Sequence, residues 1–215
     1  MNESVWSVVV AAGTGSRFGG PKQLAPLGDR RVIDWSLEAA IVGSDGIVLV
    51  VPAELVADLS ATVPGQVAVV AGGSTRSESV RAGLAAVPEA AEIVVVHDGA
   101  RPIATAGLFT AVTTAVAAGA EAAIPVVPVT DTIRMVSGGV VDRSTLVAVQ
   151  TPQAFKAAAL RAAHASDDEA TDDATLVEAR GGTVVHVAGD PDNLKITNPG
   201  DLAMAESLIS ARVDS

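Results

Sequence analysis

Residues 7–23 read SVVVAAGTGSRFGGPKQ. A β-branched run, Val8, Val9 and Val10, stops abruptly in a loop of small residues that carries Arg17 and Lys22. This order describes a buried strand feeding a glycine-rich turn, whose bare backbone N–H groups can approach a polyphosphate closely. The two cations are placed to neutralise whatever the loop holds. Two familiar phosphate loops fit badly. Gly15 and Gly20 have the outer spacing of G-x-x-x-x-G-K-[ST], but Pro21 precedes Lys22 and Gln23 stands where a hydroxyl belongs. G-x-G-x-x-G fits Gly13 and Gly15, then meets Phe18. Pro21 keeps its neighbour out of the helical region, so the loop is expected to be long and to wrap its ligand. The glycines alone read as an ordinary turn; Arg17 and Lys22 shift the reading toward phosphate.

Working outward, apolar β-branched runs recur at residues 47–51, 67–70, 93–96, 124–127 and 184–187. Between them lie alanine- and leucine-rich stretches of helical character at 33–41, 77–86, 107–118 and 201–210. Alternation of this kind implies right-handed crossovers and an α/β fold with a mostly parallel sheet covered on both faces. Ligands in such sheets gather beyond the carboxyl ends of the strands, so the loops after Val10 and Val96 are expected to open on one side. Residues 129–150 break the rhythm: TDTIRMV and VDRSTLVAV flank Ser137-Gly138-Gly139, which reads as a projecting two-stranded hairpin arm.

The chain of 215 residues is 49% hydrophobic, enough to bury the core of one domain. With no Tyr, two Trp and three Phe, that core must be aliphatic. The lack of cysteine excludes disulfides, thiolate metal sites and cysteine nucleophiles. His97, His164 and His186 are far apart and form no metal-ligand pair. No run of ~18 apolar residues predicts a membrane span. Glu3 and the absence of a basic start argue against a signal peptide, which leaves a soluble cytoplasmic protein as the expectation. A formal charge of −11 disfavours nucleic acid and anionic membranes as partners. An acidic chain still binds a polyanion where its few cations converge, and the lysines are only Lys22, Lys156 and Lys195.

Five further segments are candidates for chemistry or for turns and caps. His97-Asp98-Gly99-Ala100-Arg101-Pro102 puts a carboxylate at a strand end, a common place for a metal or ribose contact, and Arg101 could fork onto a phosphate. Equally, Asp98 and Arg101 could pair with each other in a structural turn. In Gly72-Gly73-Ser74-Thr75-Arg76-Ser77-Glu78-Ser79, Ser77 and Ser79 are placed to cap a helix whose free N–H groups face a ligand, though capping alone explains the composition. Thr171-Asp172-Asp173 reads as a threonine N-cap followed by acids that suit the helix dipole, and residues 167–169 as a solvated acidic surface. Lys195 stands in an apolar frame between Pro191 and Pro199, where an anionic partner explains it better than solvent. Thr151-Pro152-Gln153 reads as a turn closing the hairpin.

Taken in series, AAGTGSRFGGPKQ, GGSTRSESV, HDGARP, VTDTIRM, VDRS, VQTPQAF, ATDDATLVE and DNLKITNPGDLAMAE closely resemble one family. It is the 2-C-methyl-D-erythritol 4-phosphate cytidylyltransferases of the non-mevalonate isoprenoid route. The resemblance runs from the first strand to the last helix. It implies a Rossmann-like nucleotidyltransferase of the glycosyltransferase-A kind, one domain over residues 1–215, and a homodimer interlocked through an arm at about 129–150. It also implies Mg²⁺-dependent transfer of CMP from CTP. By motif match, Ala11, Ala12, Gly13, Thr14, Gly15, Ser16, Arg17 and Lys22 would hold the triphosphate, with Arg17 and Lys22 stabilising the transition state. Gly72, Ser74 and Ser79 would help recognise cytosine. Asp98, as metal ligand and nucleotide contact, and Arg101 would lie near the metal and the sugar phosphate. Thr132, Arg143, Thr151 and Thr171 would contact methylerythritol phosphate, and Arg143 and Lys195 would position its phosphate.

The chemistry is consistent with the residues present. A sugar phosphate has a second pKa of ~6 and needs no general base at pH 7, so the lack of a histidine or cysteine constellation is expected. The barrier lies in bringing two anions together and in the charge that develops on the α-phosphate. Ribitol 5-phosphate is the rival acceptor, since an enzyme using it would share the nucleotide loops. A glycosyltransferase of similar fold would carry an Asp-x-Asp metal pair, a spacing found at Asp190-Pro191-Asp192. A non-catalytic nucleotide sensor would need less charge than Arg17 and Lys22 supply.

Overall fold

A computed structural model describes residues 3–166 and 168–213 of the chain. Asp167, first of the expected acidic surface, lies outside them; Asp168 and Glu169 are exposed as expected. In chain order the first half comprises β1 (Val5–Val10), β2 (Pro26–Leu27), β3 (Arg30–Arg31), α1 (Val32–Val42), β4 (Gly46–Val51), α2 (Val56–Ser60), β5 (Val67–Ala71), α3 (Arg76–Ala86) and β6 (Ile93–Asp98). It continues with α4 (Ala106–Ala117), β7 (Ala122–Pro128), β8 (Ile133–Arg134), β9 (Val140–Val141), β10 (Val147–Val149), β11 (Gln153–Lys156), α5 (Ala157–Ala163), α6 (Asp173–Glu178), β12 (Val184–Ala188) and α7 (Pro199–Val213).

One sheet dominates, in the order β5-β4-β1-β6-β11-β7, with β10 and β12 also pairing β7. β5, β4, β1 and β6 run parallel, β12 runs parallel to β7, and β10 and β11 are antiparallel. Every residue of β4 and β6 is buried, which is why these strands lack polar alternation. Successive side chains instead divide between two cores. Val9, Leu49 and Val95 meet Ile33, Leu37, Phe109 and Val112 from α1 and α4 on one face. Val8, Val48, Val50 and Val96 meet Val80, Leu84, Leu160 and Val177 from α3, α5 and α6 on the other. Each fully covered Val or Leu contributes roughly 1.5–3 kcal/mol. A third cluster, Leu27, Val32, Ile103, Ile196 and Ala205, packs against partly buried Trp35, Leu202 and Leu208. No helix among the described residues is long and apolar enough to cross a membrane.

The parallel α/β reading and its strands are all present. Four local expectations are corrected. Within 129–150 only the two-residue β8 and β9 form the ribbon, turning at Gly138 and Gly139 with φ of 106° and 88°. The rest of the expected second strand, β10, returns to pair antiparallel with β7 at the edge of the main sheet, its three residues exposed. Thr151-Pro152-Gln153 is not merely a turn: β11 starts at Gln153 and wedges between β6 and β7. Its short run, QAFK, carries no β-branched residue to announce it. Thr75, not Ser77 or Ser79, caps α3, accepting from the Glu78 amide while Glu78 reaches back to the cap. Asp172, not Thr171, caps α6 through the Thr175 amide.

Candidate active site

β1 crosses over to β4 and β5 on one side, and the chain later returns to add β6 on its other edge. The strand order reverses there, and the two carboxyl ends open a crevice. A cleft of about 390 Å³ occupies it, walled by residues 10–14 after β1, residues 73–76 before and at the start of α3, and residues 98–100 after β6. Lys22, Gln23, Ser79 and Lys195 complete the lining. The loops after Val10 and Val96 therefore open on one side, as expected.

The first loop is held by a compact turn. The Phe18 and Gly19 amides donate to the Gly15 carbonyl at 2.8 and 3.0 Å, and the Lys22 amide donates to the Gly20 carbonyl at 2.8 Å. Gly15 has φ of +64°, and a Cβ there would lie 1.9 Å from the Gly20 oxygen, so only glycine fits. Lys22 follows on a single short 3-10 turn, residues Lys22–Leu24, which agrees with Pro21 denying the loop a direct helix. The Gly13 and Thr14 amides have no backbone partner among the described residues, and both residues line the cleft.

Lys22 and Lys195 are 173 positions apart in sequence, yet both reach the cleft. Lys22 Nζ donates to the Ile196 carbonyl at 2.6 Å. Ile196 is completely buried in the third cluster and its amide donates to Ala100 at 2.8 Å, so hydrophobic burial pins the lysine segment to the end of β6. Lys195 Nζ sits 2.8 Å from Asp98 Oδ2. The anionic partner expected of Lys195 is thus internal, at least in part. Arg101 Nε lies 3.7 Å from the same oxygen, and its Nη1 donates to the Asn193 carbonyl at 2.7 Å. The paired-turn alternative for Asp98 and Arg101 therefore describes the fold, and Arg101 props the carboxylate from beneath.

Charge is concentrated here. Burial would raise the Asp98 carboxyl, but Lys195 and then Arg76 outweigh it and hold the group well below the ordinary carboxylate range. Burial first, then the Lys195 ammonium, lowers the Lys22 pKa, with Arg17 adding in the same direction. Lys22, Arg76 and Lys195 face the cleft against the single carboxylate of Asp98. In a chain of net charge −11 that local excess of cations is a trap for a polyanion.

The second loop is fixed by α3. Ser79, buried, donates to the Thr75 carbonyl at 2.9 Å and accepts from the Gly73 amide at 3.2 Å. Both the Ser74 hydroxyl and amide donate to Glu78 at 2.6 Å. Gly72 lies behind the wall, where a Cβ would come 2.5 Å from Ala12 and 2.8 Å from Ser79 Oγ. Its role in the geometry is close approach of the two loops.

Of the residues expected at the site, Ala11, Ala12, Gly13, Thr14, Lys22, Ser74, Ser79, Asp98 and Lys195 line the cleft together. Gly15 shapes the turn, while Ser16 and Arg17 are exposed on it without lining the cleft. Thr151 is buried: its hydroxyl accepts from the Asp98 amide at 3.0 Å and lies 3.1 Å from His97 Nδ1, so it braces the strand end. Thr132 and Arg143 lie exposed within residues 129–150, Arg143 bonded to the Thr130 carbonyl, and Thr171 is exposed before α6. None of these three lines the cleft. The lining residues with polar side chains that were absent from the expected site are Gln23, Thr75 and Arg76. The last two sit inside the quoted GGSTRSESV motif, so the signal was present without a geometry to rank it.

Among the described residues, no group of three His, Asp or Glu side chains could hold a metal. Asp190 is instead engaged by the Asp192 amide at 2.9 Å and by Arg212 at 3.2 Å, which argues against a glycosyltransferase metal pair there. A lone ionised Asp98 in a polyanion cleft fits Mg²⁺, which commonly takes one or two carboxylates and completes its shell with substrate phosphate oxygens and water.

Comparison with known proteins bears on the family of the whole chain. The family model described as 2-C-methyl-D-erythritol 4-phosphate cytidylyltransferase matches residues 5–211. A protein of that name from Nocardia farcinica is 46% identical, the alignment covering 97% of this chain and 95% of that one. Its counterpart from Rhodococcus jostii is 46% identical over 95% of each chain. Among solved structures, the enzyme of that name from Thermus thermophilus superposes with a TM-score of 0.79 at 36% identity, covering 97% and 98% of the two chains. The 4-diphosphocytidyl-2C-methyl-D-erythritol synthase of Anaerococcus prevotii superposes at 0.83 with 28% identity, covering 97% and 99%. With the reversal crevice, the glycine turn and the cation-rich cleft in place along the same length, this chain belongs to the 2-C-methyl-D-erythritol 4-phosphate cytidylyltransferase family.

Proposed function

We propose that the protein transfers CMP from CTP to 2-C-methyl-D-erythritol 4-phosphate, releasing pyrophosphate. An acceptor phosphate oxygen attacks the α-phosphorus of CTP, the new P–O bond forms, and the bond to the β-phosphate bridging oxygen breaks. The acceptor dianion is already a nucleophile near pH 7, because its second pKa is ~6. No side chain has to remove a proton. What the reaction requires is charge compensation and alignment, and the convergence of Lys22 and Lys195 on one cleft carries the reading.

Lys22, tethered to the Ile196 carbonyl, is poised to stabilise the α-phosphate as charge builds, with Arg17 on the first loop as its companion. The Gly13 and Thr14 amides would hold the triphosphate. Ser79, by fixing the Gly73 amide, shapes the wall against which the base would lie, with Ser74 and Gly72. Lys195 would leave Asp98 in part to seat the acceptor phosphate. Asp98 would hold Mg²⁺, which supplies charge neutralisation of the departing pyrophosphate when bound.

Thr132, Arg143 and Thr171 line no part of this chain's cleft. A homodimer that brings an arm from one subunit to the cleft of the other gives them a role. Exposed Met135, Val136 and Val140 on the ribbon, with Val136 wholly uncovered, suit such a contact. A cytoplasmic location goes with these substrates, which are polyanions that do not cross lipid unaided. Pyrophosphate release from each of the four nucleoside triphosphates, with methylerythritol phosphate or ribitol 5-phosphate as acceptor, tests the assignment. CTP with methylerythritol phosphate is the expected pair, and activity confined to ribitol phosphate overturns it.

A further inference from the structure

Lys195 sits in residues 189–198, between β12 and α7, where no helix or strand holds the backbone, and its side chain is 42% exposed. A long lysine in an irregular segment samples many positions unless its flanks are anchored. On the carboxyl side the anchor is Ile196, completely buried, whose amide donates to the Ala100 carbonyl at 2.8 Å. On the amino side the anchor is polar. Asn193 is also completely buried, yet it lines no part of the cleft. Its Nδ2 donates to the Thr151 carbonyl at 2.9 Å and to Gln150 Oε1 at 3.4 Å. Its own carbonyl accepts from Arg101 Nη1 at 2.7 Å.

Packing does not account for an asparagine at this point. An aliphatic side chain would fill a buried space without desolvating an amide, as Ile196 does nearby. Asn193 Oδ1 is moreover buried with no hydrogen-bond partner among the described residues, which adds an uncompensated desolvation. The Thr151 carbonyl only accepts, so the amide must face it with its nitrogen. What the asparagine supplies is a donor in a fixed direction. Thr151 also accepts from the Asp98 amide, through its hydroxyl, at 3.0 Å. One residue thus holds both halves of the 2.8 Å contact between Lys195 Nζ and Asp98 Oδ2: Asp98 by its amide, the lysine segment by Asn193.

We propose that Asn193 is a positioning residue: it ties the Lys195 segment to Thr151 and so sets where the ammonium meets the acceptor phosphate. The inference rests on the proposed reaction, in which Lys195 seats that phosphate. A displacement of ~1 Å in such a group costs up to about 10²-fold in rate.

Asn193→Leu keeps the number of heavy side-chain atoms and removes the donor. Steady-state pyrophosphate release, with CTP and methylerythritol phosphate varied in turn, tests it beside Lys195→Met and the double variant, each also melted to check folding. In Asn193→Leu the KM for the acceptor is expected to rise by more than about fivefold, with a much smaller change in the KM for CTP. In the Lys195→Met background the same change is expected to cost little further, because the two residues act on one contact. A smaller rise for the acceptor overturns the inference, as does an equal rise for CTP or an undiminished effect without Lys195. Should Asn193→Leu not fold, Asn193→Ser, whose hydroxyl stops short of Thr151, decides by the same criteria. Failure of both to fold makes Asn193 a determinant of the fold and overturns the inference. A wild-type protein inert with CTP and methylerythritol phosphate refutes the reaction itself, a result distinct from these.

Discussion

Replacing Lys22 by methionine keeps the apolar stem and removes one ammonium from the cleft. On the folding side two effects oppose each other. The variant loses the 2.6 Å bond to the Ile196 carbonyl, about 1 kcal/mol net. It also relieves the burial of an ammonium beside Lys195, the two leading causes that lower the Lys22 pKa. The melting temperature should therefore move by no more than about 4 °C in a chain of this size. The reaction has no such offset, because charge on the α-phosphate develops where that ammonium stood. Removal of one preorganised donor of this kind costs roughly 10²–10³ in rate, about 3–4 kcal/mol. Continuous pyrophosphate release at saturating CTP and acceptor reads kcat, and a thermal melt reads the fold. The loss should fall mainly on kcat. A kcat within about threefold of wild type, with the fold intact, would refute the assignment of Lys22 to the transition state.

Three other perturbations follow from the geometry. Burial above all pushes the His97 pKa down from 6.5 to about 4, so between those values the unfolded chain binds a proton that the folded chain refuses. Stability should fall as pH drops through that window, by up to about 3 kcal/mol, with Asp98 and Asp173 adding their losses only below about pH 4. Urea melts at several pH values would show a flatter profile for His97→Asn, and an equal slope in both proteins excludes this source. In Gly15→Ala the new methyl group would meet the Gly20 oxygen, so the first loop must open; KM for CTP should rise roughly tenfold with little change in melting, and unaltered kinetics would show the turn to be dispensable. Met135→Asp with Val136→Asp places charge on the exposed ribbon; light scattering should report a monomer with little activity, whereas an active wild-type-sized particle removes the arm from the interface.

The parallel strands of the sheet and the four long helices were legible because a parallel sheet covered on both faces imposes one strong rule: its central strands must be apolar at every position. Residues 47–51 and 93–96 obey it without exception, and so does the burial of β4 and β6. β11 escaped notice because its four residues, QAFK, offer no such run and gain their place from neighbours on both sides. Caps were misplaced by one to four residues for a similar reason. Thr75 and Ser77 are both competent hydroxyls, and only the direction from which the chain enters α3 selects between them.

Local chemistry was written in the chain: a glycine turn after a buried strand, a carboxylate at a strand end, a few basic residues in an acidic protein. Those are properties of neighbours in sequence, and the backbone enforces them directly. Which cations share a phosphate is a different matter. Lys22 and Lys195 meet because Ile196 is buried under α7 and tied to Ala100, and Arg76 stays in the cleft lining because Asp173 and His164 hold it there. Convergence of charge depends on distances through space that packing alone sets, so the tertiary structure decided which of the candidate residues form one site.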